Sequence, residues 1–488
     1  MASVKAWKVQ ESGEPAFPSD FEIARKAVLQ VTDIKTNHNK YYAIELHHAT
    51  KDAGDFAFRV FTHYGRTDDL ENNPNAGQKE CRYYATMAEA DACYQTIYRE
   101  KTNPRKGYKE VSLASTKIGS HKARGTSAGE VDAKTLEKLA KAKAEKAAKE
   151  GKPVEKPKTL DLAPGVQDLV RYIFSEATSA LTSTVAAKIT ANGIETPLGV
   201  LTIGQIEKGE KILLDLYELF EKKKSSSLRG KLEELSGEFY TVIPHRIGRT
   251  REAVAAAVID NMTAFAQKQE TLQLMKDMLQ VNGEEGSVLY DAQVDAQYLS
   301  LGAELGALNA DHPAYRQIAD HVINSQVKSK SIKVQNVFTL KRPGEWESFT
   351  EKMDNQRLLF HGSRIQNWVG ILSRGILMPK IVVSLGVNRT DAGWLGHGIY
   401  FGDASCTSAF YTTPGKKKTR LMAVTRVALG KMKDYTQITY GLSAPPEGYD
   451  SCHGVRNTAK APSQFADDEY VIYDPRQHRQ EYLVEFTV

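Results

Sequence analysis

Near the C-terminal end of this sequence, three stretches set chemistry-bearing side chains beside glycines or at the mouths of apolar strands. In RLLFHGSRIQNWVGIL, Arg357 to Leu372, His361 follows an apolar run and precedes Gly362 and Ser363. In GWLGHGIYFGDASCTSAFYTT, Gly393 to Thr413, Gly396 and Gly398 precede a short strand that carries Tyr400. A helix-like run then spaces Ser408 and Tyr411 three apart, on one face. In DDEYVIYD, Glu469 opens an apolar strand. Taken singly, each has an ordinary reading: a histidine satisfied in a core, tyrosines packed in a strand, a glutamate solvated at a strand mouth. Together they can do more. A preorganised carboxylate stabilises positive charge that develops on a sugar, as in glycoside cleavage. It can also polarise an incoming hydroxyl. That chemistry needs no metal, and no Cys or His pair here has metal-ligand spacing.

Such residues need a sheet to hold them. From about Gly286 onward, KVQNVFTLKR, RLLFHGS, TRLMAVTRVALG, EYVIYD and QEYLVEFTV are β-rich and apolar, with Gly and Pro between them. Residues 286–488 are therefore expected to form an α+β domain around a mixed or antiparallel sheet. Residues 159–285 read as a helical bundle. Val166, Leu169, Val170 and Ile173 recur at helical spacing after Pro164, and Leu213, Leu216, Tyr217 and Phe220 do so again. Residues 1–114 read as mainly strand, from the alternation in KYYAIELHH and DFAFRVFTHYGR. One helix, MAEADACYQTIYREKT, follows, with Met87, Ala90, Tyr94, Ile97 and Tyr98 on one face. Between these regions, residues 115–158 are rich in Lys, Ala and Gly and read as a basic linker around a solvated helix, TLEKLAKAKAEKAAKE. The fold class expected is multidomain α+β.

Length allows two to four domains, and 41% hydrophobic content suffices for their cores. The four cysteines, Cys81, Cys93, Cys406 and Cys452, lie far apart, which argues against a disulfide scaffold and a structural zinc site. No apolar run approaches a membrane span, and the first residues lack a signal-peptide centre. An intracellular protein with no membrane partner is expected, nuclear in a eukaryote, in the cytoplasm or nucleoid of a bacterium. The formal charge of +5 is a mild pointer to a polyanionic partner.

In this order the motifs resemble the poly(ADP-ribose) polymerase family, over nearly the whole chain. THYGR with the later YREKTNP is similar to a WGR domain. PGVQDLVRYIF, TPLGVLT and LSGEFYTVIPH are similar to the family's regulatory helical domain. LLFHGSRIQNWVGILSRGI, LGHGIYFGD and DDEYVIYD are similar to its His-Tyr-Glu ADP-ribosyltransferase domain. GVNRTDAGWLGHGIYF and APPEGYDSCHGV resemble the vault-associated branch, whereas the set of three domains resembles the DNA-break-dependent branch.

The resemblance implies an enzyme that takes NAD as substrate, with no further cofactor and no metal. It implies protein acceptors, the chain itself included, and DNA strand breaks as the activating partner. It makes His361, Tyr400 and Glu469 the catalytic set. His361 would hydrogen-bond the adenine-side ribose, and Gly362, Ser363 and Ser408 would border the nicotinamide amide. Tyr411 would stack on the nicotinamide ring with Tyr400 flanking it, and Glu469 would hold the 2′-hydroxyl of the nicotinamide ribose. Tyr64, Arg66 and Lys101 would face DNA. Glu469 is preferred to Glu481, because the family pattern places one more strand after the glutamate's own.

The chain also departs from the family. Tyr64 stands where the WGR tryptophan is expected, and Thr407 where chain-elongating relatives carry a lysine. Poly-ADP-ribosylation switched on by DNA breaks is the leading expectation. Transfer of single units, with the WGR domain used for protein contacts, is the alternative, and a catalytically weak DNA-end scaffold the third. The helical domain is expected to restrain the transferase until DNA is bound.

Overall fold

Alternation in the first region builds a six-stranded antiparallel sheet. Its strands are β1 (Trp7–Lys8), β2 (Phe21–Asp33), β3 (His38–Ala49), β4 (Phe58–Arg66), β5 (Gln78–Tyr84) and β6 (Lys109–Glu110), in the order β1-β5-β4-β3-β2-β6. Helix α1 (Met87–Thr102) starts at a capping box between Thr86 and Glu89 and covers one face. Ala90, Tyr94 and Ile97 pack there on Leu29, Tyr42, Ile44, Leu46 and Val60. Met87, placed on that face from sequence, is 40% exposed instead, because it lies in the first turn beyond the sheet's reach.

The computed structural model describes residues 4–51, 54–128, 160–190, 193–220, 226–247, 250–281, 294–327, 330–378 and 393–488. Expected linker residues 115–128 are folded, not linking. The polar face of the sheet is also buried, and this segment buries it. The Glu45 carboxylate accepts from the Ser120 backbone N–H at 2.8 Å and from the Ser120 hydroxyl at 2.5 Å. Gly119 donates its N–H to His63 Nδ1 at 3.1 Å. Gly119 sits at φ +98, and a Cβ there would meet Glu45 Oε1 at 2.2 Å. The segment looks solvated in sequence because it is held by hydrogen bonds to buried polar groups, with only Ile118, Ala123 and Ala128 as apolar pegs. The lysine-rich helix expected at 135–150 lies outside the described residues.

Strand β7 (Leu113–Thr116) forms a second sheet with three short strands, β8 (Lys188–Thr190), β9 (Gly193–Glu195) and β10 (Gly199–Leu201), in the order β7-β10-β9-β8, so that β7 pairs with β10. The helical region is thus not purely helical. Its helices are α2 (Pro164–Thr184), α3 (Ile203–Phe220), α4 (Ser226–Val242), α5 (Arg251–Ala256) and α6 (Met262–Val281). Leu213, Leu216 and Tyr217 of α3 are buried, as their spacing predicts, while Phe220 at the last position is only half-buried; Ile206 joins them. Helix α4 lies against β2, and there Thr241 Oγ1 accepts from the Thr32 N–H at 2.8 Å.

Contacts divide the chain into two units, Met1–Glu155 with Leu181–Tyr290, and Lys156–Ala180 with Asp291–Val488. Residues 164–180 of α2, all but its last turn, thus group with the C-terminal unit. In that unit Tyr172 packs on Gly415, and Glu176 accepts the Lys416 N–H at 3.0 Å.

The second unit is built on nine strands: β11 (Glu304–Leu308), β12 (Lys333–Lys341), β13 (Gln356–Ser363), β14 (Ile399–Gly402), β15 (Arg420–Ala428), β16 (Met432–Tyr435), β17 (Ser451–Gly454), β18 (Glu469–Ile472) and β19 (His478–Thr487). Their order is β11-β12-β19-β15-β13-β14-β18-β17-β16, antiparallel except for the parallel pair β16 and β17. Around the sheet lie α7 (Val294–Ser300), α8 (Pro313–Asn324), α9 (Pro343–Ser348), α10 (Trp368–Arg374) and α11 (Ser405–Ala409). Ile318 and Val322 of α8 join Phe360, Met422, Val424, Val484 and Phe486 in one core. Among the described residues, no helix is long and apolar enough to cross a membrane.

Candidate active site

Strand β13 pairs with β15 along its whole length, from Gln356 opposite Ala428 to Ser363 opposite Leu421. This fully paired strand is rigid, and it carries His361 to the sheet's edge of regular pairing with β14. His361 Nδ1 lies 3.0 Å from the Tyr400 carbonyl oxygen. A carbonyl only accepts, so Nδ1 carries the proton and Nε2 of the neutral ring is an acceptor. Burial pushes the imidazole down to about 4, so the ring is neutral at physiological pH. The ring can therefore accept a hydrogen bond from a ligand hydroxyl.

Gly362 is required by close approach. A Cβ there would lie 2.0 Å from the Ser408 carbonyl oxygen. Ser408 is buried on α11, and its hydroxyl donates to the Phe360 carbonyl at 3.1 Å. Tyr411, just beyond α11, lines the pocket and is 65% exposed as a residue. Ser363 does not line the pocket: its hydroxyl accepts from Asn367 Nδ2 at 3.2 Å and its carbonyl from the Trp368 indole at 3.3 Å. Its part is to hold the turn after β13.

Tyr400 has both hydroxyl functions engaged, accepting from the Leu395 N–H at 2.9 Å and donating to the Gly396 carbonyl at 2.8 Å. Burial raises its pKa far above the usual range, so it stays neutral. Gly396, at φ +81, makes this turn possible, since a Cβ there would meet the Leu442 carbonyl oxygen at 2.1 Å. Glu469 pairs with Gly402 of β14 on one side and Gly454 of β17 on the other. Gly402 has no side chain and lines the pocket beside the carboxyl, whereas the place of a Cβ on Gly454 is taken by the Phe465 ring, 2.5 Å away. Burial first, then the nearby Asp467 carboxylate, pushes Glu469 up to about 7.

A pocket of about 100 Å³ is lined by Phe360, His361, Gly362, Tyr400, Phe401, Gly402, Thr407, Ser408, Tyr411 and Glu469. Six of the residues singled out from sequence thus converge. A cleft of about 1000 Å³ at Trp346, Lys431 and Asp450 is larger but brings no such set together. Glu481 is elsewhere, in ion pairs with Arg426 at 2.8 Å and Arg479 at 3.0 Å. Phe401, Gly402 and Asp467 were not singled out, although their places beside Tyr400 and Glu469 were the available signal. Arg456, which reaches Asp403, Asp467 and Asp468, had no signal in the sequence. Among the described residues no group of three or more His, Cys, Asp or Glu is placed to hold a metal ion.

In the first unit, Tyr64 is stacked on Tyr42, with centroids 5.1 Å apart and planes 10° from parallel. Its hydroxyl lies 2.9 Å from Gln78 Oε1 and 2.8 Å from Glu80 Oε1. Lys101 Nζ sits 4.6 Å from the centroid of that same Tyr42 ring. Arg66 pairs with Asp68 at 3.1 Å. Tyr64 and Lys101 therefore meet at one aromatic pair, and Arg66 stands at the end of β4.

Residues 25–115 match the WGR domain, residues 161–298 the poly(ADP-ribose) polymerase regulatory domain, and residues 313–488 the poly(ADP-ribose) polymerase catalytic domain. The chain is similar to the protein mono-ADP-ribosyltransferase PARP4 of Mus musculus, at 33% identity over 326 residues, 67% of this chain and 16% of that protein. It is 28% identical to PARP4 of Homo sapiens over 480 residues, 97% of this chain and 25% of that protein. It is 27% identical to the protein mono-ADP-ribosyltransferase PARP3 of Mus musculus over 501 residues, 94% of this chain and 87% of that protein. Chains named poly(ADP-ribose) polymerase from Zea mays and Drosophila melanogaster also match. The chain spans a quarter or less of the two PARP4 relatives. With all three domains matched in order, the last of them carrying the pocket, the chain belongs to the poly(ADP-ribose) polymerase family.

Proposed function

We propose that this chain is an ADP-ribosyltransferase that takes NAD and transfers its ADP-ribose to protein side chains, itself included, one unit at a time. The observation that carries this reading is the convergence of His361, Gly362, Tyr400, Ser408, Tyr411 and Glu469 on one pocket. In it, the backbone N–H and carbonyl of Gly362 clamp the nicotinamide amide, reachable because no side chain stands over them. Ser408 joins by exchanging its bond to the Phe360 carbonyl for one to the amide. The ring of Tyr411 stacks on nicotinamide, while Nε2 of His361 accepts from a hydroxyl of the adenine-side ribose. Breaking the bond from C1′ to nicotinamide leaves positive charge on the ribose, and the ionised Glu469 stabilises it. Nicotinamide leaves neutral. The acceptor oxygen then bonds to C1′ and loses its proton to Glu469 or to water.

Transfer of single units is favoured over chain growth for two reasons. The three relatives described above in most detail are named mono-ADP-ribosyltransferases. At Thr407 this chain also sets a neutral hydroxyl, bonded to the Asp467 carboxylate at 2.7 Å, beside the reacting carboxyl. A growing chain would bring pyrophosphate charge towards that carboxylate. Activation by DNA breaks belongs to the same proposal, through Tyr64, Arg66 and Lys101. So does restraint by the helical domain, and a place inside the cell, in the nucleus of a eukaryote. The domain limits 1–114, 115–158, 159–285 and 286–488 are kept in it with one change, the end of the first domain moved to 128.

The test is incubation with labelled NAD, with and without nicked or blunt DNA, resolved on a gel. Sharp bands support single-unit transfer, a smear returns the reading to polymer synthesis, and no label under any condition overturns the activity. Arg66→Ala is expected to lower the DNA-stimulated rate and spare the DNA-free rate.

A further inference from the structure

We propose that Arg456 and Asp467 are positioning residues that set the charge state of Glu469, and with it the pH window of the transfer reaction. The inference rests on the reading of Glu469 as the reacting carboxylate.

The geometry is a single guanidinium shared among carboxylates. Arg456 Nη2 lies 2.8 Å from Asp403 Oδ1, Nη1 lies 3.4 Å from Asp468 Oδ2, and Nε lies 3.7 Å from Asp467 Oδ1. The Arg456 backbone N–H also donates to Asp468 Oδ1 at 2.9 Å. Asp467 is only 6% exposed and stands two residues before Glu469 on the approach to β18. Its other oxygen accepts from the Thr407 hydroxyl at 2.7 Å, and Thr407 lines the pocket. Asp467 is therefore fixed in place near the reacting carboxyl, shielded from water and tied to the pocket wall. Arg456 follows β17, whose Gly454 pairs with Glu469.

The groups that face Glu469 come from four directions. From β13 comes His361, which burial keeps neutral by pushing it down to about 4. From β14 comes Tyr400, held neutral, and beyond α11 comes Tyr411, while Asp403, just after β14, reaches Arg456. From the turn after β17 comes Arg456, while His453 pairs with Tyr470 on the other face of the sheet, where it lies 2.9 Å from both Asp434 and Asp468. On its own segment are Asp467 and Asp468. Like charge next to a carboxylate favours its protonated form, and opposite charge favours ionisation. Asp467 therefore favours the protonated form of Glu469, and Arg456, 3.7 Å from the Asp467 carboxylate, acts through it by offsetting that charge. Burial amplifies both, since the low local dielectric leaves these charges poorly screened. A carboxyl that must be ionised to face a developing cation, but is partly protonated near neutrality, makes the rate depend on this balance.

The test is the pH profile of kcat/KM for nicotinamide release from NAD, which reports the free enzyme. It is measured on the full chain for wild type, Asp467→Asn, Arg456→Met and Arg456→Lys. Asp467→Asn keeps the shape and the bond from Thr407, so the fold is retained. It is expected to move the acid limb down by about half to one pH unit, and Arg456→Met to move it up by a similar amount. Arg456→Lys keeps the charge and should stay near wild type. A purely structural role would lower the rate at every pH and leave the limb in place. A limb that Asp467→Asn does not move, or that both neutral variants move the same way, overturns the proposal. So does a limb that disappears in His453→Gln. Glu469→Gln separates this proposal from the reading beneath it. If that variant is inactive while the limb stays fixed in the others, only the proposal fails, and if it keeps its activity, the reading itself fails.

Discussion

Glu469 is distinguished from the chain's other carboxylates by what surrounds it. Two glycines flank it across the sheet, a buried aspartate stands two residues away, and no arginine is bonded to it among the described residues. Glu481, by contrast, spends its charge on two arginines. Glu469→Gln should therefore cost roughly a hundredfold or more in transfer, the scale of losing one preorganised charge, while NAD affinity changes much less. Glu481→Gln should lower thermal stability and leave turnover within a few-fold. Near-normal turnover in Glu469→Gln, with Glu481→Gln inactive, would reverse the assignment. Because burial and Asp467 push Glu469 up to about 7, its ionised fraction grows as pH rises through neutrality. Transfer should accordingly increase from pH 6 to pH 8 by up to about tenfold. A rate that falls over this range would exclude Glu469 as the ionised partner. Tyr411→Ala should weaken a benzamide-type competitor of NAD, since its ring is the stacking face.

Pairs of elements that approach too closely for any side chain define the architecture. At the pocket the pair is β13 and α11, separated only by Gly362. Gly362→Ala would push a methyl into the Ser408 backbone, which cannot move away as the tip of a long side chain can. Nicotinamide-site binding should be lost with modest loss of stability, as followed by calorimetric titration with benzamide. In the first unit the pair is α4 and β2. A Cβ on Gly237 would lie 2.6 Å from the Thr32 carbonyl oxygen. Gly237→Ala should destabilise this unit by about 1–3 kcal/mol through overpacking, measured by chemical denaturation. Leu213, fully buried on α3, should cost about 2–5 kcal/mol when cut to alanine. If the helical domain restrains the transferase, the same variant will also raise activity without DNA. Unchanged activity in a measurably destabilised variant would argue against that restraint.

Across the whole molecule, buried neutral histidines make the fold sensitive to acid. Burial pushes His63 down to about 4 and His245 down to about 3. The unfolded chain returns both to the ordinary histidine value near 6.5, so it binds more protons than the folded chain in between. Their contribution to stability is complete above about 6.5 and is lost as pH falls towards those depressed values. The melting temperature should hold steady from pH 8 to 7 and decline progressively below about 6.5. A melting temperature that rises on acidification over that range would contradict the neutral, buried placement of these rings.

The order of the motifs determined much of this protein. Periodicity located α1, the face of α3 and the strands β12, β13, β15, β18 and β19, because apolar spacing follows from local geometry. The types His361, Tyr400 and Glu469, with the glycines beside them, were also legible, since each motif is contiguous. Three things were decided only in three dimensions. The sheet of the first unit buries both faces, and Glu45 and His63 on the polar one take hydrogen bonds from Ser120 and Gly119, so a segment that reads as a tether folds as a cover. The stacking of Tyr64 on Tyr42 from the neighbouring strand, 5.1 Å between centroids, is set by strand register and has no signal in the sequence. Arg456 is separated from Asp403 by 53 residues in sequence, and antiparallel pairing of β14, β18 and β17 brings it to Asp403, Asp467 and Asp468. Local pattern shows which face a residue takes, but the partner that satisfies a buried charge comes from whichever strand the sheet sets beside it, and that is a property of topology.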